Sequence, residues 1–375
     1  MTIQRPVVGL YAIASRQYTP RLVCSQRVPL LRHYAQQSTQ PDGTPSTAAA
    51  IVKSALTVIE SRANADPVNA PRSTLPPPLN LPTRGDEAAP IYYFRLGRAY
   101  GTFYKDGIKA VWFNFKASRL LQERIKSERN AKDVTDAVEK KAITRAEFQL
   151  LARNSHDIGK LPIFSLMVLV FGEWLVLIVP FVPSRVPGTC RIPKQTHGMT
   201  LKAEERRRVS FRHGIPAPSK EQMAKEDVDA EKGGEKTLWP MAFNPDYARR
   251  IVGKLRDDQL HHLSCNLGLH NSLWDRVQLA PPAFLLRRSI SNRLQYLTQD
   301  DFLLLEHGGV ARLTPDELRF ACEQRGLDTL GQEDKALQRK LEWWLNRQRE
   351  DDGKGRAMLT MLFRRPNAWN GKGKR

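Results

Sequence analysis

The alternation of apolar and polar positions is interrupted by one stretch, residues 161–182, which reads LPIFSLMVLVFGEWLVLIVPFV and carries a single charge, Glu173. A helix rises ~1.5 Å per residue, so about 20 apolar residues cross the ~30 Å hydrocarbon core of a membrane. A buried helix of a soluble protein rarely stays apolar on every face over this length. The pattern therefore predicts a transmembrane helix over 161–182, with Glu173 inside the bilayer.

Glu173 is costly in that position if it is ionised. A protonated carboxyl, a paired one, or one that faces a polar cavity would be tolerated. Two interpretations stay open: an ion or proton site in an oligomer, or a protonated carboxyl that hydrogen-bonds a neighbouring helix. Positive charges are balanced on the two sides of 161–182, so they do not fix the orientation of the span.

Helical patterns flank this stretch on both sides. Aromatic and basic residues recur at helical spacing in 92–160, which is typical of a helix near lipid headgroups or against a partner. Thr144 and Glu147 form a capping box that begins a helix. Farther on, Thr314 begins a helix that ends before Gly326.

The last predicted helix carries an apolar stripe at positions i, i+4, i+7 and i+8, formed by Leu337, Leu341, Trp344 and Leu345. No alternating strand pattern competes with these helices. The predicted fold class is all-α, with a single transmembrane helix followed by a helical domain.

The composition of the N-terminal residues predicts a targeting sequence. Residues 1–34 contain arginines but no Asp, Glu or Lys, which is typical of a mitochondrial presequence, and the cut is expected before Ala35. Residues 35–91 are rich in proline and predict a linker without a packed core. The other predicted parts are a membrane-proximal helical region 92–160, the transmembrane helix 161–182, a charged connector 183–240, a helical domain 241–349 and a basic tail 350–375.

Composition changes the picture in one respect, the charge. The 375 residues carry a formal net charge of +20 at a mean hydropathy of −0.47. Such an excess predicts an anionic partner, either RNA or anionic lipid. The candidate cations for contact with RNA phosphates are Arg287, Arg288, Arg293, Arg364, Arg365, Lys372, Lys374 and Arg375.

The sequence offers little for catalysis or metal binding. It contains no P-loop, GxGxxG or GxSxG motif, so we expect no enzyme activity and no cofactor. The four cysteines are scattered without a CxxC pair, which argues against a disulfide framework or a zinc ribbon. His261 and Cys265 lie one helical turn apart with His270 nearby, but no acid supports them, and no metal is predicted.

Two sets of motifs resemble the LETM family of mitochondrial inner-membrane proteins. The first is FYKDGIKAVWFNFK and ITRAEFQLLARNSHDIGKLPIF before the apolar stretch with its internal acid. There Asp157 and Pro162 match the motif at which the family's chain enters the membrane, whereas Val170-Phe171-Gly172 departs from the family's Pro-Phe. The second is LTPDELRFACEQRGLDTLGQEDKALQRKLEWWLN, which is similar to the family's ribosome-binding domain.

The resemblance implies a 14-3-3-like helical domain in the matrix. It implies binding of mitochondrial ribosomes, through rRNA or ribosomal proteins, in support of protein insertion into the inner membrane. Anionic lipid and a second copy of the chain are further expected partners. The alternative is a component of a proton-coupled cation (potassium) exchange system that uses Glu173. An EF-hand loop and a long heptad run are missing, so calcium sensing is not expected.

Overall fold

The computed structural model describes residues 66–85, 88–127, 130–171, 182–219, 239–277 and 279–365, all within the compact unit Thr47–Arg375. Its helices are α1 Ala89–Ser127, α2 Val134–Glu139, α3 Arg145–Ile158, α4 Leu161–Phe171, α5 Pro193–Arg212, α6 Pro240–Phe243, α7 Pro245–Gly253, α8 Asp257–Leu267, α9 Ser272–Arg276, α10 Ala283–Glu306, α11 Pro315–Gln324, α12 Asp334–Glu350 and α13 Arg356–Leu362. Short 3₁₀ turns lie at Arg72–Thr74, Pro183–Arg185, Gly188–Cys190 and Val310–Arg312. These residues contain no strand, which confirms the all-α class for the part described.

Local signals place several helix ends where the sequence predicts them. The hydroxyl of Thr144 accepts from the backbone N–H of Glu147 at 3.2 Å, and the Glu147 carboxylate accepts from the N–H of Thr144 at 2.9 Å. This capping box begins α3. Gly326 follows the end of α11 with a φ of 75°, a conformation that glycine adopts without strain.

The main core lies in the C-terminal half and is built around α10. Leu286, Ile290 and Leu294 of α10 are buried against α7, α8 and α12. The predicted stripe of α12 is buried in the same core, and Trp344 is fully enclosed there. A second cluster joins Leu121 of α1 to α2, α3 and the C-terminal end of α10.

The predicted basic tail is wrong over its first part. Helix α13 lies inside 350–375, yet its Met358, Leu359 and Leu362 side chains are buried in the main core. The sequence GRAMLTMLF supplies apolar residues at helical spacing. The many cations on both sides of this short helix make residues 350–375 basic on average, and the apolar pattern of the helix does not show in that average.

The predicted linker is wrong over residues 66–75. Val68 is fully buried in the main core, and its carbonyl accepts from Nη1 of Arg145 at 2.7 Å. The Asn69 side chain donates to the carbonyl of Arg312 and accepts from the N–H of Thr314, both at 2.8 Å. An extended chain has no hydrogen bonds of its own, and here the helical body supplies them.

A buried ion network joins α3 to the C-terminal half. Asp300 on α10 accepts from Nε of Arg145 and from Nη2 of Arg325, both at 2.7 Å. Arg153 forms a two-pronged pair with Glu317, with both distances 2.7 Å. The members of this buried ion network are Arg145, Arg153, Arg325, Asp300, Asp301 and Glu317. The three positive and three negative charges balance, which is the condition under which ions are tolerated in a protein interior.

The predicted transmembrane helix is not supported. Among the residues described, no helix has the length and apolar character needed to cross a membrane. The described part of α4 has 11 residues, which cover roughly half of the hydrocarbon core. Residues 172–181, and with them Glu173, lie outside the described residues.

The buried ion network opposes a single crossing independently. Arg145 precedes the stretch 161–182 and Asp300 follows it, and the two side chains are in direct contact. One crossing of a membrane between them would place them on opposite sides. The first turns of α4 also pack onto the body, because Phe164 is buried among Phe103 and Val186.

Candidate functional site

An exposed apolar segment with arginines follows α8, over α9 and the first turns of α10. We call residues 272–288 the exposed segment; residue 278 in it lies outside the described part. Its large exposed apolar side chains are Leu273, Val277, Leu279, Phe284 and Leu285, and its arginines are Arg276, Arg287 and Arg288. Exposed apolar side chains grouped with charges are typical of a binding surface.

The exposed segment is held on a rigid support. Asn271 caps α9 by accepting from the N–H of Leu273 at 3.1 Å. On α10, Leu286 and Ile290 are buried on one side, so Phe284 and Arg288 face solvent on the other. Helix α10 is therefore fixed by the core while its first turns are presented outward.

The predicted RNA-contact arginines of α10 do not share one surface. Arg288 is exposed, and Arg287 pairs at 3.2 Å with Asp257, itself largely exposed. Such exposed pairs contribute little to stability, so Arg287 can exchange partners at low cost. Arg293 comes five residues after Arg288 and points about 140° away around the helix. Its guanidinium lies 5.7 Å from the ring centroid of Tyr296 and lines a cavity instead.

Of the predicted RNA-contact residues in the C-terminal tail, some are described by the structure and others are not. Arg364 and Arg365 follow α13 and are exposed, and the guanidinium of Arg365 lies 5.7 Å from the ring of Phe211. Lys372, Lys374 and Arg375 lie outside the described residues.

Asp157 and Pro162, predicted to mark where the chain enters a membrane, take different positions. Pro162 is exposed in the first turn of α4. Asp157 is buried and accepts from the N–H of Gly188 at 2.7 Å, which fixes the turn Gly188–Cys190 against α3. Burial raises the pKa of Asp157, and the hydrogen bond from Gly188 opposes that rise.

Two family models match the chain. Residues 247–363 match the LETM1-like RBD, the ribosome-binding domain, and residues 89–224 match the pentamidine resistance factor domain. Residues 247–363 therefore form a LETM1-like ribosome-binding domain. No curated protein and no solved structure matches the chain, and the 14-3-3-like arrangement stays a prediction.

The comparisons refine the predicted extent of the LETM resemblance. The ribosome-binding domain runs to residue 363 and so includes α13, which the predicted boundary at 349 leaves out. The first half, which also resembles the LETM family in sequence, matches a separate domain model. The exposed segment lies wholly inside the ribosome-binding domain.

The buried ion network connects these two matched parts, and sequence reasoning missed it. Arg145 and Arg153 belong to the pentamidine resistance factor part, and Asp300 and Glu317 to the ribosome-binding domain. One signal was present: Asp300 and Asp301 stand between Leu297 and Leu303, in the middle of an apolar helix. A pair of acids at such positions indicates buried cationic partners.

His261, Cys265 and His270 do come together, with one ligand atom from each within 4.8 Å of the others. Both ring nitrogens of His270 are already engaged, Nδ1 at 2.6 Å from Oγ of Ser264 and Nε2 at 3.0 Å from Asp275. Burial raises the pKa of the Cys265 thiol to about 11, which disfavours the thiolate that a metal needs. The arrangement is a hydrogen-bonded cluster. The sequence analysis found no acid to support these residues, and the structure shows that Asp275 is beside His270.

Proposed function

We propose that this protein binds mitochondrial ribosomes and thereby supports the insertion of newly made proteins into the inner membrane. The match of residues 247–363 to the LETM1-like ribosome-binding domain carries this proposal. The exposed segment offers the chemistry that such contact needs. Arg287 and Arg288 can neutralise RNA phosphates, and Phe284 can stack on a base or fill an apolar pocket of a ribosomal protein.

Association with the inner membrane is the second part of the proposal. Large apolar side chains are exposed on α1, among them Phe94 and Trp112, and on α4, where Leu169 is 83% exposed. Aromatic, aliphatic and lysine side chains on one helix suit the interface between water and lipid. Anionic lipid would add electrostatic attraction for a chain with a net charge of +20. Self-association stays a prediction.

The cation-exchange alternative has less support. It depends on Glu173, which lies outside the described residues, and on a membrane span that the described helices do not provide. The packed helical domain with its exposed arginines favours a binding protein.

Sedimentation of ribosomes with the full-length chain at graded salt tests the proposal. Binding to RNA weakens steeply as salt rises, because counterions are released from each neutralised phosphate. Arg287→Gln with Arg288→Gln should weaken binding and lower the slope of log affinity against log salt by about two. The matched control is Arg98→Gln with Lys105→Gln, which removes two exposed charges from α1, outside the ribosome-binding domain.

Ribosome binding that is absent at every salt concentration would refute the proposal. Equal losses in the test and control variants would show that net charge, and not the exposed segment, determines binding.

A further inference from the structure

A cavity of about 510 Å³ lies at the seam between the two parts that match separate family models. Helices α3 and α5 and the turn Gly188–Cys190 form one wall, and α10 and α11 form the other. Its size is that of a small-molecule site. The lining is partly apolar, from residues such as Met199, Phe320 and Leu327.

Four arginines line the cavity, and two of them are neutralised by carboxylates. Arg153 is paired with Glu317, and Arg207 with Glu204. Their charges are therefore already balanced within the protein.

Arg191 and Arg293 differ from that pair. Within the described part of the chain, neither guanidinium has a carboxylate at ion-pair distance. Nε of Arg191 is buried without a hydrogen-bond partner, and the guanidinium of Arg293 lies 5.7 Å from the ring centroid of Tyr296. Burial lowers the pKa of Arg191, and the nearby carboxylate of Asp157 opposes that shift. The same carboxylate also accepts a hydrogen bond from the N–H of Gly188.

Lys160 adds a third cation near these two arginines, against the carboxylate of Asp157. Burial lowers the pKa of both guanidinium groups. Burial, with the charge of Arg191, lowers the pKa of the neighbouring Lys160 to about 8. Burial, followed by the charges of Lys160, Arg191 and Arg293, also lowers the pKa of His156 at the rim. Partly buried cations that outnumber the acid beside them are costly, so this end of the cavity favours an anion.

We propose that the cavity binds the phosphate group of a ligand between Arg191 and Arg293, with the ligand's apolar part against Met199, Phe320 and Leu327. A guanidinium presents two parallel donors to phosphate oxygens, and two of them from different elements can hold the group from two sides. The phosphate could belong to a phospholipid headgroup or to a soluble organic phosphate. This site is independent of the ribosome contact.

A ligand in this position would stabilise the fold, because it bridges the two matched parts. Ligands that bind the native state alone raise stability by mass action. A ligand in the site would therefore strengthen the joining of the two parts that the buried ion network already provides.

Calorimetry and thermal unfolding of the full-length protein test the site. The probes are inorganic phosphate, glycerol 3-phosphate, and vesicles of phosphatidylcholine with and without phosphatidic acid. Arg191→Gln and Arg293→Gln should each weaken phosphate binding about tenfold or more, since hydrogen bonds to charged groups are strong. Neither substitution removes a side-chain hydrogen bond to any residue that the structure describes, so both variants should fold. Without phosphate their melting temperature should rise or stay unchanged. The control is Arg288→Gln, an exposed arginine on the same helix as Arg293.

Binding of soluble phosphates that both variants lose supports the site with a soluble ligand. Arginine-dependent binding seen only with phosphatidic acid vesicles supports it with a lipid ligand. Absence of binding to all probes overturns the proposal, as does binding that survives both substitutions or that Arg288→Gln weakens equally. A lowered melting temperature of both variants without phosphate would mean that the arginines are structural, and would also overturn it.

Discussion

Asp300 shows at the scale of one residue how the interior is balanced. It accepts hydrogen bonds from Arg145, Gln149 and Arg325, and it is fully buried. Asp300→Asn removes one charge and leaves two buried guanidinium groups short of a partner. We expect a loss of about 3–5 kcal/mol in the free energy of unfolding, measured in urea.

The control for this prediction is Asp316→Asn. Asp316 pairs with Arg72 on the surface, with both side chains about half exposed. Exposed pairs contribute at most about 1 kcal/mol, so the control should unfold almost as the unchanged protein does. Equal losses in the two variants would contradict the role assigned to Asp300.

The same residue predicts an acid-sensitive fold. Burial alone would raise the pKa of Asp300, but the guanidinium groups of Arg145 and Arg325 outweigh it and hold the pKa below its ordinary value. The stabilisation is therefore complete above the unfolded-state pKa of about 3.9 and is lost as the pH falls towards the folded-state pKa. When the unfolding free energy is measured from pH 6 downward, it should decrease once the pH is below about 4. The decrease should be less steep in Asp300→Asn.

The burial of single residues was predictable from the sequence where the residues belong to an apolar stripe with helical spacing. Trp344 belongs to the predicted stripe and is buried, with its Nε1 donating to Asp301 at 2.9 Å. The ion network was not predictable in the same way. Periodicity assigns charged residues to solvent, and the partners Arg145 and Asp300 are 155 positions apart.

At the scale of elements, helix starts were predictable because caps are local chemistry. The box at Thr144 begins α3 as predicted. Helix α11 also begins after Thr314, but the predicted capping box is wrong there, because Thr314 makes no side-chain cap hydrogen bond and Glu317 pairs with Arg153. Residues 66–75 and α13 were missed because their order comes from packing. The proline-rich segment and the short helix among cations are ordered only because they pack on the core.

Helix α13 gives the prediction at this scale. Leu359 is 1% exposed in the main core, so Leu359→Ala should lower the unfolding free energy by about 2–5 kcal/mol. Arg365→Gln, six residues on and exposed, should change it by less than about 0.5 kcal/mol. Urea titrations of both variants provide the measurement. A neutral effect of Leu359→Ala would restore the interpretation of 350–375 as a tail outside the core.

At the scale of the molecule, the two matched parts depend on each other. A fragment of residues 184–375 lacks Arg145 and Arg153, so Glu317 would lose both of its cationic partners and Asp300 would keep only Arg325. It also loses Phe148, whose ring stacks on Tyr296 at 5.4 Å. We expect this fragment to keep helical circular dichroism but to bind ANS and unfold without cooperativity. Residues 66–375 should unfold in one transition, and equal cooperativity in both would show that the ribosome-binding domain is autonomous.

The same contacts constrain how the whole chain sits at a membrane. The sequence predicted that the regions before and after 161–182 lie on opposite sides, whereas the salt bridge between Arg145 and Asp300 requires them to be together. Gly85 and Gly331 are exposed, outside the helices and on either side of the stretch, so epitope tags inserted there should not disturb the fold.

Protease treatment of mitoplasts should then spare both tags or remove both, and detergent should expose both to cleavage. The full-length chain without tags, compared for ribosome binding, controls for damage by the insertions. Loss of one tag with protection of the other would place Arg145 and Asp300 in different compartments. That result would contradict the buried ion network and return 161–182 to the single span that its apolar pattern predicts.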